Sequence, residues 1–496
     1  MRLSGLYISF GELSLETNRE LHAKARALLN NLLPGITDIV PSYSNLYIEY
    51  DGKLLSSANV QSWLDATPAS KEKLKDTITE LPTRFDGEDL AFVAQQTGLN
   101  KEELIERFTR DTYHVYALGF TPGFPFMGEL DEVLRLPRRQ TPRSKVPPNS
   151  VAIANAQVGV YPLESPGGWH LLGRSLQNIY DPNRAEPLLL EPGDSVRFTP
   201  SDEQSEPLAT SHELLPKTPE RPFARVLEPG LQDLVVDKGR FMAGRFGFAR
   251  GGPLDAKLAN LANKLLGNPE NAPLLELTLT GARLELLRSS VLCLTGWALA
   301  PYLNGVALNP FAAFAVKRGD VLSFEPTSQD CRAYLAVAGG IDAQTFMDSA
   351  SVDVRSKLGR TLETDDILGL ANDYKPAFKR SFVPHVCKTE RAILRLIKGP
   401  QANPDALAAL CDNTFTVGRA DRMGVALEGA DIPGGEVLSE AVPLGAVQIT
   451  SGGTPVILLN DRGTLGGYTK PALVHPGDLH KVAQLRPGAR LRFVVV

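Results

Sequence analysis

Tyr161 to Arg174 reads Y-P-L-E-S-P-G-G-W-H-L-L-G-R, and Asn460 to Lys470 reads N-D-R-G-T-L-G-G-Y-T-K. A hydroxyl residue, a spacer, two glycines and a large aromatic thus occur twice, at Ser165 to Trp169 and at Thr464 to Tyr468. Each copy follows an apolar run of β character, Ser150 to Val160 or Gly445 to Leu459. Each precedes a P-G-x-x-[VL]-R-F strand, ending at Phe198 or Phe493. Paired glycines let backbone approach a ligand or take up positive φ, while the adjoining ring supplies a wall. The repeat predicts matching loops on two related β-barrels.

The 496 residues exceed what one core usually holds, so two to four domains are expected. Gly 43 and Pro 37, with many short Val/Ile/Leu runs, favour turn-rich β architecture over a helical bundle. Lys+Arg 52 against Asp+Glu 57 leaves a net charge of -5, so nothing global points to nucleic acid. Cys293, Cys331, Cys387 and Cys411 are far apart and lack a C-x-x-C, as expected of core thiols in a reducing compartment. Leu3 to Phe10 is short and alternating, which predicts a strand and not a signal peptide. Ser289 to Val316 carries no charge, but Pro301, Pro310 and the Asn304-Gly305 turn break it into two buried strands. The expectation is a cytoplasmic protein with no membrane span.

In chain order, residues 1–85 predict a small α+β unit. Its first helix carries Leu21, Ala25, Leu28 and Leu32 on one face behind a Thr17/Glu20 capping box, and Val60, Trp63 and Leu64 mark a second. The strand around Ile78 to Phe85 ends the unit. Helices at Asp89 to Gln96 and Lys101 to Thr109 resemble a DNA-reading pair, but Glu102, Glu103 and Glu106 would repel phosphate, and barrel packing is the reading adopted. His114 to Met127, with Pro122, Gly123, Phe124 and Phe126, reads equally as an aromatic wall over a site or a buried Ω-like connection. Arg135, Arg138, Arg139, Arg143 and Lys145 follow, with prolines fixing Arg143, a pattern that suits a solvated face or an anion site. Ser201 to Pro222 is polar and proline-punctuated, the best linker in the chain. Asp255 opens a helix whose Leu258, Leu261, Ala262 and Leu265 face a core, with Asn260 and Asn263 off that stripe. Arg318-Gly319-Asp320 leads into V-L-S-F, a third version of the barrel-closing strand.

The ordered motifs G-F-T-P-G-F-P-F-M, P-R-x-x-x-P-R-x-x-V-P, S-V-A-I-A, Q-V-G-V-Y-P, S-P-G-G-W and L-L-G-R-S resemble the allophanate hydrolase subunit 1 family. That family includes the KipI kinase inhibitor and the B subunit of bacterial 5-oxoprolinase. From about residue 225, A-D-R-M-G-V-A-L-E-G, L-S-E-A-V, G-A-V-Q-I and N-D-R-G-T-L-G-G-Y resemble the allophanate hydrolase subunit 2 family, which includes KipA and the C subunit of 5-oxoprolinase. The two modules also occur fused in the carboxyltransferase region of urea amidolyases. The resemblance implies a mainly β protein with α+β. A small N-terminal α+β domain (1–85) precedes cyclophilin-like β-barrels, one in the first half (86–200) and, beyond the 201–222 linker, two in the second (223–345 and 346–496). Two departures stand out. Phe108 occupies the place of a histidine usual in the first family, which removes any role built on it. Asp348 to Arg360 lacks the glycine-rich stretch of the second, as if a ligand loop were shortened.

No P-loop and no Ser-His-Asp order is present, and His170 reads equally as packing or proton transfer. Amide, carboxylate and guanidinium groups on glycine-rich loops remain: Gln157, Arg174, Asp421, Arg422, Glu440, Gln448, Asp461, Arg462 and Lys470. Cations neutralise developing oxygen charge, Asp can hold Mg²⁺, and amides suit a lactam or ureido substrate. Each position reads equally as half of a structural salt bridge. The candidate catalytic groups are Arg143, Gln157, Arg174, Asp461 and Lys470. The candidate binding groups are Pro122, Gly123, Phe124, Ser165, Gly167, Gly168, Trp169, Asp255, Asp421, Arg422, Glu440, Gln448, Arg462, Thr464, Gly466, Gly467 and Tyr468. The resemblance implies the fused B–C component of an ATP- and Mg²⁺-dependent 5-oxoprolinase, working with a separate A component of the LamB/YcsF type, and a homo-oligomer. The alternatives are carboxyl transfer to urea, for which this chain holds no A-M-K-M-like biotinyl lysine, and a regulator that binds a sensor histidine kinase through the Phe124 region.

Overall fold

The computed structural model describes residues 3–70, 78–374, 381–382 and 392–496, so Cys387 lies outside the described residues. β1 (Leu3–Ser9), β2 (Ile36–Pro41) and β3 (Asn45–Asp51) form an antiparallel sheet in the order β1-β3-β2. α1 (Leu15–Asn30) and α2 (Ser57–Ala66) close over Ile39, Leu46 and Ile48 with Leu21, Ala25 and Leu28 and with Val60, Trp63 and Leu64; Leu32, expected on the same face, lies past the end of α1 and is exposed. The cap of α1 is Ser14, whose Oγ accepts the Thr17 N–H at 3.0 Å, so the helix starts before the Thr17/Glu20 box. Strand alternation sends Asp38, Val40, Tyr47 and Glu49 to the opposite face, toward the rest of the molecule.

The Ile78 to Phe85 strand does not complete that sheet. β4 (Ile78–Arg84), β5 (Tyr113–Leu118), β6 (Pro125–Gly128), β7 (Arg143–Val146), β8 (Ser150–Ala154), β9 (Gln157–Tyr161), β10 (Ser165–Gly167), β11 (His170–Ser175) and β12 (Ser195–Pro200) make one unit. Seven of them close a barrel, β11-β4-β12-β5-β6-β9-β8, with β4 parallel to β12, while β7 and β10 form a two-stranded ribbon. The pairing of β4 with β12 is long-range, which local alternation does not reveal. α3 (Leu90–Thr97) and α4 (Lys101–Arg110) cover this barrel, and Phe108 fills its core beside Phe85, Tyr113 and Phe198. The pair is therefore packing, as its acidic face indicated.

The middle unit holds β13 (Pro222–Glu228), β14 (Asp233–Val236), β15 (Leu274–Thr278), β16 (Arg283–Leu286), β17 (Ser290–Thr295), β18 (Leu299–Leu303), β19 (Val306–Ala307), β20 (Ala313–Val316), β21 (Val321–Pro326), β22 (Arg332–Val337) and β23 (Ile367–Gly369). They make two open sheets around one core, β19-β18-β21-β16-β13-β23 and β14-β15-β22-β17-β20. The barrel expected here is not a closed ring. The edge strands of the first sheet, β19 and β23, are two and three residues long, and V-L-S-F lies inside it between β18 and β16. The uncharged run is β17 to β20, turned at Asn304 and Gly305, both at positive φ. Among the described residues no helix is long and apolar enough to cross a membrane. Because β23 pairs with β13, the unit extends beyond the expected boundary at 345. The 348–360 segment is held by the buried Arg240, which donates to the Phe346 and Ser351 carbonyls, and by Asp237, which accepts from the Ser349 and Ser351 hydroxyls.

β24 (Ala392–Lys398), β25 (Thr414–Ala420), β26 (Gly424–Glu428), β27 (Glu436–Ala441), β28 (Ala446–Ile449), β29 (Pro455–Leu458), β30 (Leu465–Tyr468), β31 (Ala472–Val474) and β32 (Arg490–Val495) form the last unit. Its closed barrel, β24-β31-β28-β29-β26-β25-β32, is the first one repeated strand for strand twenty labels on, including the parallel pair β24/β32. β27 and β30 make the corresponding ribbon. The sequence repeat is a structural one.

Polar contacts join the units. Asn18 Nδ2 donates to the Ser42, Tyr43 and Tyr116 carbonyls, fastening the small sheet to the first barrel. The expected linker is a strap: Leu214 is buried, the His212 N–H donates to Lys357 O at 2.8 Å, and the Gly359 N–H donates back to His212 O at 2.7 Å. Arg422 welds the last barrel to the middle unit, binding Asp461 at 2.8 and 3.0 Å, the Gly252 carbonyl at 2.7 Å and Glu276. Glu276, wholly buried, also accepts from Tyr334 Oη at 2.8 Å and the Leu254 N–H at 2.9 Å. Breaking a buried pair by removing one partner costs about 3–5 kcal/mol. Arg422→Met is therefore expected to lower the urea midpoint and open the 251–255 segment to limited proteolysis, while Arg419→Met, at an exposed pair, leaves both unchanged.

Candidate functional site

The second ribbon meets the first barrel. Ala441 and Leu465 of the second insert into an aromatic wall of the first barrel made by Tyr116, Phe124, Phe126, Tyr161 and Trp169, together with Tyr43 and Tyr47 of the small sheet. Phe124 is central, with Phe126, Tyr161 and Trp169 at centroid distances of 4.8, 5.1 and 5.6 Å. A side chain at Gly119 would strike Leu465, and one at Gly247 would strike the Thr121 carbonyl. The Gly123 N–H donates to Phe246 O at 2.9 Å. The Pro122-Gly123-Phe124 turn is thus a buried joint between units, with Phe124 only 2% exposed.

Arg138 and Arg139 lie between the two glycine pairs. The Arg139 N–H donates to Gly168 O at 2.8 Å, and a Cβ at Gly467 would lie 3.6 Å from Arg138 Nη2 and 3.3 Å from Ser439 Oγ. Arg139 and Arg143 are both spent on Asp89, Arg143 Nη2 lying 2.8 Å from each of its oxygens and Arg139 Nη1 2.8 Å from one. Burial alone would push the Asp89 carboxyl up, but the Arg143 hydrogen bond, the Leu171 N–H and the two charges hold it below its ordinary value. Arg138 has no carboxylate. Its Nε is buried without a partner, and among the described residues it makes no hydrogen bond or ion pair.

Under the second ribbon lies a buried polar group. Lys470, with no exposed surface, places Nζ 2.9 Å from Glu440 Oε1 and 3.1 Å from the Tyr468 carbonyl. Gln401 spans the pair, donating to Glu440 Oε1 at 2.6 Å while its Oε1 accepts the Lys470 N–H at 3.0 Å. Desolvation lowers the Lys470 pKa and Glu440 opposes that shift. A side chain at Gly466 would come within 2.9 Å of Gln448 Nε2. Glu440, Gln448, Gly466, Gly467, Tyr468 and Lys470 are therefore together, as the sequence placed them.

A second polar hollow sits where the small sheet, middle unit and last barrel meet, lined by Asp38, Tyr47, Glu49, Arg250, Arg462 and Thr464. Its volume of about 20 Å³ suits a single water. Arg250 pairs with Glu49, Arg462 Nε donates to Val442 O at 2.7 Å, and Thr464 Oγ1 is buried without a partner. An open apolar trough of about 570 Å³ between β32 and α6 (Pro404–Asp412) has no converging polar groups.

The other candidates lie elsewhere. Arg174 is half-exposed beside Asp86, and Gln157 Nε2 donates to Tyr43 Oη at the edge of the aromatic wall. Asp421 turns its own chain by accepting the Met423 and Gly424 N–H groups. Asp255 caps α5 (Ala256–Leu266) and accepts from Gln484, while Asp461 and Arg422 belong to the welding network. Ser165 Oγ is buried and unpartnered, Gly167 abuts Tyr161 Oη, and His170 stacks on Phe92 with Nε2 on Pro137 O. Asn263 is buried and donates to Ala272 O. Sequence reasoning omitted Gln401, which follows Gly399-Pro400 without any motif, and Arg138, which stood in a motif beside two arginines of the same charge.

Residues 2–190 match the family model described as carboxyltransferase domain, subdomain C and D, and residues 246–495 match carboxyltransferase domain, subdomain A and B. The chain belongs to the carboxyltransferase-domain family. Within that family it is 36% identical over 197 residues to the 5-oxoprolinase B subunit of Escherichia coli O157:H7, covering 38% of this chain and 88% of that protein. It is 30% identical over 284 residues to the 5-oxoprolinase C subunit of Haemophilus influenzae, covering 55% and 90%. A urea amidolyase of Lachancea kluyveri matches at 30% over 61% of this chain but only 18% of its own length. The crystal structure of TTHA0988 superposes with a TM-score of 0.96 at 47% identity, over 99% of this chain and 100% of that one. This carboxyltransferase-type chain is thus a fusion of the two families that its motifs resemble.

The hollow carries a pH signature. Burial, and then the neighbouring Glu49, raise the Asp38 pKa from 3.8 to about 6, against the pull of Arg250. Between those values the native state keeps a proton that the unfolded chain has lost, so stability falls as pH rises through the window. Asp38→Asn is expected to reduce that slope in urea titrations at pH 4 to 6, leaving the part due to Asp233, Asp255 and Asp461, which burial also raises to about 6.

Proposed function

We propose that the protein is the fused B–C component of an ATP-dependent 5-oxoprolinase. The observation that carries this reading is coverage: one chain matches 88% of a 5-oxoprolinase B subunit and 90% of a C subunit, in that order. ATP, when bound, would supply the phosphoryl group that activates the lactam carbonyl carbon for attack by water, so that the ring C–N bond opens and phosphate is released. The buried Lys470 is the cation this chain offers to the developing oxyanion, with Glu440 and Gln401 fixing its position and excluding water. The Gln448 amide, beside Gly466, suits the lactam N–H and C=O. Mg²⁺ would enter with ATP, held largely by its phosphates and by water; Asp461 is not free to hold it, since both its oxygens are on Arg422.

A second reading, carboxyl transfer to a small amide, is favoured by the descriptions of both matching family models. The same lysine would then face a carboxylate, and the carboxyl carrier would come from elsewhere.

The purified chain, combined with a 5-oxoprolinase A component, is expected to form glutamate only when ATP and 5-oxoproline are both present; absence of product with all components would reject the oxoprolinase reading. Lys470→Met is expected to lower kcat about 10²–10³-fold, the usual loss of one oxyanion donor, with KM for 5-oxoproline little changed. Equal losses of kcat in Lys470→Met and Lys470→Arg would instead mark a packing role.

A further inference from the structure

Glu440 and Lys470 lie on different pieces of the last unit and are fixed in different ways. Lys470 is held by its own barrel: Gln401 Oε1 accepts its N–H, and the Gly399 N–H donates to the next carbonyl, Pro471 O, at 2.9 Å. Glu440 rides on the ribbon strand β27, whose ladder with β30 is irregular between Glu436 and Glu440. Regular pairing begins at Glu440 itself, against Gly466, and continues with Ala441 against Leu465. Gln401 and Lys470 bind its carboxylate, but the backbone that carries it is set from the Ala441 side.

Ala441 is held from the other half of the chain. The Val442 N–H donates to Thr464 O at 2.9 Å, so Val442 and Thr464 are a bonded pair. Bonded and unbonded pairs alternate along an antiparallel ladder, which turns the Ala441 carbonyl away from β30 and toward the open edge of the ribbon. Tyr7 of β1 meets it there, its Oη donating to Ala441 O at 2.5 Å. The Tyr7 ring is braced in turn by Tyr47, its register partner in β3, at a centroid distance of 4.8 Å. Gly5, on the same face of β1, makes room for that partner, since a side chain there would strike the Tyr47 ring. Burial, then Tyr47 and the Glu440 charge, push the Tyr7 phenol well above its ordinary value, against Arg462. The hydroxyl therefore keeps its proton at working pH and stays a donor.

We propose that Tyr7 is a positioning residue for the site of the second half: by holding the Ala441 carbonyl it keeps Glu440 against Lys470, so the N-terminal sheet of one half sets the charge pair of the other. Its weight in turnover rests on the oxoprolinase reading, in which Lys470 faces the oxyanion; the positioning itself does not.

The test is Tyr7→Phe in the full chain, which removes the hydroxyl and keeps the ring. Tyr113→Phe is the matched control, because Tyr113 Oη also donates to a backbone carbonyl, Phe108 O at 2.6 Å, but inside the first barrel. Both variants are expected to lower the urea midpoint similarly. NMR titration of isotopically labelled lysine, with the Lys470 signal assigned through Lys470→Arg, reads the Lys470 pKa directly. Glu440 is the charge that props that pKa up. Tyr7→Phe is expected to lower it by about 0.5, and Tyr113→Phe to leave it unchanged. With a 5-oxoprolinase A component, Tyr7→Phe is expected to lower kcat about fivefold at constant KM for 5-oxoproline, and to move the alkaline limb of the kcat profile down by the same amount. A Lys470 pKa that stays put in Tyr7→Phe, that rises as water enters, or that falls equally in Tyr113→Phe would overturn the proposal. A fall in that pKa with kcat untouched would uphold the positioning and reject Lys470 as the cation of the reaction. A chain that makes no glutamate fails the oxoprolinase reading and leaves the titration to decide.

Discussion

The arrangement depends on the burial of Ala441 and Leu465 against the aromatic wall around Phe124. Each ribbon alone is a short two-stranded piece, a form with little independent stability. Packed against that wall, the second ribbon brings Gly467 beside Arg138. The polar groups follow from this contact: Lys470 is buried because the ribbon lies over it, and its pairing with Glu440 and Gln401 is what makes that burial tolerable.

The charged residues divide by whether they find partners within the fold. Arg422, Asp461, Glu276 and Asp89 are saturated, and they hold units together. Arg138 differs in having no acidic partner, although unpartnered nitrogens also occur on Arg139, Arg240, Arg250 and Arg332. Paired charges inside a protein contribute mainly when every lone pair and proton is met.

Much of this was legible in the residues. The doubled G-G-aromatic motif and the P-G-x-x-[VL]-R-F strands announced two related barrels, because a repeated local pattern imposes the same local geometry wherever it falls. The apolar stripes of α1, α2 and α5 gave most of their buried faces, with Leu32 exposed beyond α1 and Asn263 of α5 buried against expectation. Long-range choices were not legible: β4 crosses to β12 and β23 returns to β13, both decided by partners distant in sequence. The role of Asp461 escaped for a related reason. A carboxylate in a glycine-rich loop looks the same in sequence whether it faces a ligand or, as here, an arginine and through it the buried Glu276.

The strap from Ser201 to Pro222 has a further consequence. Its bonds to Lys357 and Gly359 tie it down along its course, so the first barrel is delivered to the rest of the molecule by a short, guided tether. Covalent tethering replaces a bimolecular encounter with an effective local concentration, of the order of millimolar for short flexible connections. Where relatives carry the two modules as separate polypeptides, their docking must compete with dilution. In this chain the seam assembles at any protein concentration, and the two modules are made in strict one-to-one proportion.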